Sequence, residues 1–194
     1  MNNTLYLFVG KSASGKSTIA NILESQYGHR QVWSYTTRSK RCEDEKYHVF
    51  ISDEEFDQLG ELAAYTEYNG KRYGTTWEQL DKCSIYVIDV AGIETMLKNM
   101  GDRNRPICII YFDTAVSTRI MRMVERGASD HEIISRLLVD DTTEDWYRRL
   151  DHLEWHYNNI KNKQIQLHRI NANEDIENVL SQVLYYINGQ KEVE

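Results

Sequence analysis

Apolar residues come in short bursts along this chain, and their spacing switches between the two-residue beat of strands and the 3.6-residue beat of helices. The run Leu5-Tyr6-Leu7-Phe8-Val9 predicts a strand over residues 4–9, an amphipathic helix follows over 16–27, and Gln31-Val32-Trp33-Ser34-Tyr35 reads as a second strand. From about 36 to 80 the grammar changes. Ser52-Asp53-Glu54-Glu55 reads as a capping box opening a short helix, and Asn69-Gly70 between two β-prone runs within 64–73 reads as a hairpin turn. The alternation then resumes with a strand over 85–89, a helix over 92–100, a strand over 107–112 and a helix over 115–126. A long charged helical stretch over 131–160, a strand over 165–170 and a helix over 174–187 complete the pattern. Such alternation implies an α/β three-layer fold with a mostly parallel sheet covered on both faces, a small sheet of its own inserted at 36–80, and ligand at the carboxyl ends of the strands.

The segment after the first strand carries the chemistry. Gly10-Lys11-Ser12-Ala13-Ser14-Gly15-Lys16-Ser17-Thr18 is a complete G-x-x-x-x-G-K-[ST] phosphate loop between an apolar strand and a helix. Its glycines let backbone N–H groups converge on an anion, and the positive end of the following helix faces the same point. Lys16 then reaches the β/γ-phosphates of a nucleotide such as ATP, and Ser17 reaches Mg²⁺.

Composition narrows the setting. The 194 residues suit one domain of ordinary core size, with no apolar stretch of membrane-spanning length and no signal peptide ahead of the first strand. Three widely spaced cysteines, Cys42, Cys83 and Cys108, suggest neither a disulfide framework nor a zinc site and fit a reducing cytoplasmic setting. A formal net charge of −7 argues against broad nucleic-acid or membrane binding. Local cations at Arg38-Ser39-Lys40-Arg41, Lys71-Arg72, Arg119, Arg122, Arg126 and Arg136 instead suit a small polyanion. Arg122 and Arg126 are four apart on one helix face, where like charges repel and an anion between them gives the pairing a reason. Asp89 ends an apolar strand, where it serves either to orient Mg²⁺ through water or simply to cap the strand end.

Several segments taken together resemble the guanylate kinase family. Besides the phosphate loop these are Ser34-Tyr35-Thr36-Thr37-Arg38 with Arg41 and Tyr47, Glu67 through Thr75, Ile88-Asp89-Val90 with Gly92, and Arg122 through Gly127 followed by Arg136-Leu137. The resemblance spans nearly the whole chain. It implies an ATP- and Mg²⁺-dependent nucleoside monophosphate kinase with a core (1–35 and 81–194), an acceptor-binding lobe near 36–80 and a lid near 127–135. It also implies that Ser34, Arg38, Arg41, Tyr47 and Tyr73 hold the acceptor phosphate, that Thr75 sits by its base, and that Arg122, Arg126 and Arg136 surround the transferring phosphoryl group. Phosphoryl transfer asks for such parts, because the protein mainly aligns two anions and neutralises spread charge.

Two positions depart from the family pattern. Guanine-reading acids are expected nine residues before Tyr73 and two before Asp89, yet those places hold Ala64 and Val87, which accept no hydrogen bond from a base. Three readings stay open at this level: Glu67 takes over the guanine contact and the acceptor is GMP or dGMP, the acceptor carries another base, or it is ribose 1,5-bisphosphate, whose kinases resemble guanylate kinases. A different class is the guanylate-kinase-like interaction module without turnover. The intact Gly15-Lys16-Ser17 and the lid arginines favour an enzyme.

Weaker signals are His152 and His156, four apart but lacking a third ligand, and the aromatic stretch from Trp146 to Tyr157. That stretch suits a homodimer interface, a cover on the acceptor site or a completed core.

Overall fold

The computed structural model describes residues 3–40, 43, 45–141, 145–161 and 163–189. The first strand, β1 (Leu5–Val9), is buried along its whole length. It lies between β6 (Ile85–Val87) and β7 (Ile107–Asp113), and β8 (Ile165–Asn171) flanks β7, giving a parallel sheet in the order β6-β1-β7-β8. Two-residue alternation sorts its side chains between two cores. Leu5, Leu7, Val9, Ile107 and Ile109 meet one helical layer, whereas Tyr6, Phe8, Cys108, Ile110 and Phe112 meet the other. Helices α4 (Val90–Asn99) and α7 (Trp146–Asn159) cover the first face, and α1 (Lys16–Gln26) and α8 (Ile176–Ile187) cover the second. Each fully enclosed aliphatic or aromatic side chain contributes about 1.5–3 kcal/mol, so this double-sided sheet holds the molecule together and fixes its strand ends.

A second sheet has the order β3-β2-β5-β4, formed by β2 (Ser34–Thr36), β3 (His48–Phe50), β4 (Leu62–Tyr68) and β5 (Lys71–Thr76). The β4–β5 hairpin turns at Asn69-Gly70, both at positive φ, as the Asn-Gly signal predicts. Helix α2 (Asp53–Asp57) opens with the expected capping box, Ser52 and Glu55 bonding each other's backbone N–H groups. A second capping box, Thr76 with Gln79, starts α3 (Trp77–Asp81). Helix α5 (Val116–Glu125) ends at a turn through Gly127, and α6 (Asp130–Asp141) follows.

Three expectations change. The second strand is not part of the core sheet: residue Gln31 makes one parallel bridge to Ile85, and the chain pairs only from Ser34 onward, with β3 and β5 of the other sheet. The strand expected over 85–89 stops at Val87, because Asp89 is already the N-cap of α4. The helical stretch over 131–160 is two helices, α6 and α7, the second capped by Asp145, whose carboxylate accepts from the N–H groups of Tyr147 and Arg148. Among the described residues no helix is long and apolar enough to cross a membrane.

Candidate active site

The phosphate loop leaves β1 at its carboxyl end. Gly10 passes so close to β7 that an added Cβ would stand 2.8 Å from the carbonyl oxygen of Phe112, and Gly15 adopts φ of 97° just before α1 begins. Only glycine fits both demands, tight approach at the first and left-handed backbone at the second. Lys16 is folded onto its own loop: its ammonium donates to the carbonyls of Gly10 (2.6 Å) and Lys11 (2.9 Å) and to Ser14 Oγ (3.1 Å). Burial lowers its pKa to about 8, partly offset by the Asp140 carboxylate.

Lys16 stands between two openings. On one side a cavity of about 300 Å³ is lined by Ala13, Ser14, Gly15, Ser17, Thr18 and Arg126. Beside it, about 310 Å³ of space lies between Gly15, Arg122, Arg126 and the start of α8. Arg122 reaches toward the carbonyls of Ala13 (3.5 Å) and Glu174 (3.3 Å), so the two arginines spaced four apart flank the same hollow.

On the other side lies a cavity of about 360 Å³ between the two sheets, lined by Gly10, Ser12, Lys16, Ser34, His48, Thr66, Glu67, Tyr73, Tyr86, Asp89, Trp146 and Arg149 among others. Ser34 Oγ lies 3.1 Å from His48 Nδ1 across the parallel β2–β3 pair. Asp89 is held in two directions: the Gly92 N–H donates to Oδ1 (2.7 Å) and the Thr66 hydroxyl donates to Oδ2 (2.9 Å). Burial raises its pKa, opposed by those two donors. Burial also pushes the Tyr86 phenol up, which keeps it protonated as a donor. An adjoining space of about 320 Å³ gathers Arg38, Lys71, Tyr73, Tyr68 and Arg136 around Ser12. Arg38 is not idle there, since its guanidinium donates twice to Glu45, at 2.8 and 2.9 Å.

The predicted set therefore divides. Ser34, Arg38, Tyr73 and Arg136 border the cavity between the sheets or the space adjoining it, and Arg122, Arg126, Ser17 and Thr18 border the hollows on the other side of Lys16. Glu67 borders the cavity while pairing in register with Arg72, whose guanidinium lies over the Phe56 ring. Tyr47 borders neither space and packs edge-on against Trp33 at 5.8 Å. Thr75 is fully buried with its hydroxyl donating to Gln79 Oε1 at 2.9 Å, so the capping of α3 absorbs it. Arg41 lies outside the described residues. Asp89 is an α4 cap facing the cavity between the sheets, and the aromatic stretch completes the core, through Leu150 and Tyr157, and lines that cavity, through Trp146. Ala64 is buried in the core beside α4, away from the cavity lining, and Val87 borders the cavity with an apolar side chain.

Among the described residues no group of three or more His, Cys, Asp or Glu side chains is placed to hold an ion, so His152 and His156 form no site. The exposed Ser17 hydroxyl beside Lys16 suits Mg²⁺, which takes few protein ligands and completes its shell with water and phosphate oxygens.

One pair escaped the sequence reading. Arg119 of α5 and Asp140 of α6 form a fully buried ion pair at 2.8 Å directly behind the phosphate loop. Within the sequence Asp140 is one more acid in a charged helical stretch; its spacing of four from Arg136 was the available signal.

The family model described as guanylate kinase matches residues 2–188. The guanylate kinase of Streptomyces kasugaensis is 32% identical over 149 residues, 70% of this chain and 70% of that protein. Those of Streptomyces coelicolor (30% over 149 residues, 70% and 73%) and Streptococcus thermophilus (32% over 145 residues, 68% and 68%) are similar to a like degree. A solved deoxyadenosine kinase from M.mycoides with bound dATP covers 95% of this chain and 100% of its own at TM-score 0.44 and 14% identity, too distant to bear on substrate. With a family match over nearly the full length and relatives above 30% identity across two thirds of both partners, this chain belongs to the guanylate kinase family.

Proposed function

We propose that this protein transfers the γ-phosphoryl group of ATP to the phosphate of GMP or dGMP, releasing ADP and the nucleoside diphosphate. The observation that carries this reading is the cavity between the sheets, whose lining brings together Lys16 and the half-buried Asp89 carboxylate with Thr66, Ser34 and Tyr86. A carboxylate acceptor at that depth matches the N–H donors on the guanine edge, and it stands in the same cavity from which Ala64 and Val87 provide no polar contact. The arginines and Lys71 of the adjoining space suit the acceptor phosphate, since planar guanidinium groups grip phosphate oxygens in pairs.

The chemistry needs no general base. An already ionised phosphate oxygen of the acceptor forms the new bond to the γ-phosphorus as the bond to the β,γ-bridging oxygen breaks. Lys16 turns from its loop carbonyls to the β/γ-phosphates, the loop amides support them, and Arg122, Arg126 and Arg136 neutralise charge spread over the transferring group. Ser17 would hold Mg²⁺ together with the phosphates, and the ion would supply further charge neutralisation.

Coupled ADP release with Mg·ATP against GMP, dGMP, AMP, CMP, UMP, dTMP and ribose 1,5-bisphosphate tests the assignment. Selective turnover of GMP or dGMP is expected. Turnover of another acceptor assigns Ala64 and Val87 to a changed specificity, and silence across the panel moves the chain to the interaction-module class.

A further inference from the structure

The backbone of Ser12 is held at both its N–H and its carbonyl by side chains that also hold each other. Its N–H donates to Asp140 Oδ2 at 2.8 Å, its carbonyl accepts from Arg119 Nε at 3.0 Å, and Arg119 Nη2 donates to the same Asp140 oxygen at 2.8 Å. Asp140 and Arg119 are 2% and 0% exposed in their side chains, so the arrangement is walled off from solvent. The next residue, Ala13, sits at φ of 62°, a left-handed conformation that costs an alanine about 1–2 kcal/mol and persists only where neighbours impose it. Asp140 also stands one helical turn from Arg136, which borders the acceptor-phosphate space.

We propose that Asp140 is a positioning residue for phosphoryl transfer: paired with Arg119, it clamps the Ser12 peptide, and so sets the phosphate-loop turn and the placement of Arg136 together. The inference rests on the kinase reading above. A bare carboxylate against an anion-binding loop repels the ligand that the loop exists to hold. Arg119 neutralises it, so the clamp adds no net charge beside Lys16. Helix α6 is thereby fastened to the loop by a charged, directional contact that a simple apolar packing would not supply, and an arginine on α6 moves with the loop that holds the donor.

The two partners differ in electrostatic sign, and that gives a test a purely structural role would not pass. Mg·ATP affinity is measured by calorimetry, and kcat and KM by ADP release, on Asp140→Asn, Arg119→Met and the double variant R119M/D140L. Asp140→Asn leaves the Arg119 charge beside the loop, so Mg·ATP binding is expected to be retained or tightened while kcat falls about 10- to 100-fold, the usual range for removing an outer supporting contact. Arg119→Met leaves the carboxylate uncompensated and is expected to weaken Mg·ATP binding about tenfold or more. The double variant removes both charges, which buried pairs often tolerate without loss of stability. It is expected to melt near the wild type and bind Mg·ATP within about threefold of it, with kcat still reduced about 10- to 100-fold.

Wild-type kcat in the double variant overturns the proposal, as do shifts of Mg·ATP affinity in the same direction for both single variants. Should Arg119→Met not fold, Asp140→Asn and the double variant carry the test. The affinity arm needs no acceptor. A wild type silent across the acceptor panel therefore overturns the kinase reading, while the opposed affinity shifts still decide the clamp.

Discussion

The Thr66 hydroxyl donates to Asp89 Oδ2 at 2.9 Å, joining a strand of the small sheet to the N-cap of a core helix across the acceptor cavity. The bond fixes the second oxygen of a half-buried carboxylate whose first oxygen the Gly92 N–H already holds. Thr66→Val keeps the shape and removes the donor, an unmade bond to a charged acceptor worth about 1.5–3 kcal/mol. Its KM for GMP is expected to rise about 10-fold with kcat changed less, and Asp89→Asn is expected to raise KM further. Unchanged KM values in both variants would remove this pair from base recognition.

Lys16→Met is expected to lower kcat by about 10²–10³, the usual loss for one preorganised charge-stabilising donor. Its circular dichroism should match the wild type, because β1 and α1 are held by their own buried faces and not by the ammonium. Wild-type turnover in this variant would sink the mechanism.

The depressed pKa of Lys16 gives a signed pH dependence. Its value falls from 10.5 to about 8 in the folded chain, so between these values the unfolded state binds more protons and the Lys16 contribution to stability rises with pH. Below about pH 8 the ammonium is charged in both states and the penalty of enclosing it is fully present. Phosphates that bind the charged form draw a proton onto Lys16 above that pH. Mg·ATP affinity is therefore expected to weaken by up to about tenfold per pH unit above pH 8, with proton uptake measurable by calorimetry in buffers of different ionisation enthalpy. Lys16→Met should abolish the uptake.

Glu45 takes the terminal Nη1/Nη2 edge of Arg38, whose guanidinium borders the space proposed for the acceptor phosphate. An incoming phosphate must displace or share that partner. Glu45→Gln is expected to lower the KM for acceptor about three- to tenfold and Arg38→Ala to raise it, at similar kcat; a raised KM in Glu45→Gln would show that the carboxylate supports Arg38 instead of competing for it.

How much of this was legible in the sequence follows from how local each signal is. The phosphate loop needs only its own backbone torsions and two flanking elements, so Gly10, Gly15 and Lys16 stand out in the linear order, and the same holds for the Asn69-Gly70 turn and the Ser52 capping box. The second strand fails for the opposite reason. Residues Gln31–Tyr35 are as β-prone as any strand here, but propensity says nothing about the partner, and the chain crosses from one sheet to the other between Gln31 and Ser34. Thr75 and Tyr47 were placed by resemblance, and the structure spends the first on capping α3 and the second on packing against Trp33.

The sequence by itself determined the alternation of strands and helices, the phosphate loop and the stock of cations, because each is written in residues within a turn or a strand of one another. Tertiary structure alone decided which charges meet. Asp140 lies 128 residues from Ser12 and 21 from Arg119, and Thr66 lies 23 from Asp89. Such contacts depend on how helices seat on the sheet ends, where burial makes a charge costly unless a partner from a distant segment arrives to satisfy it.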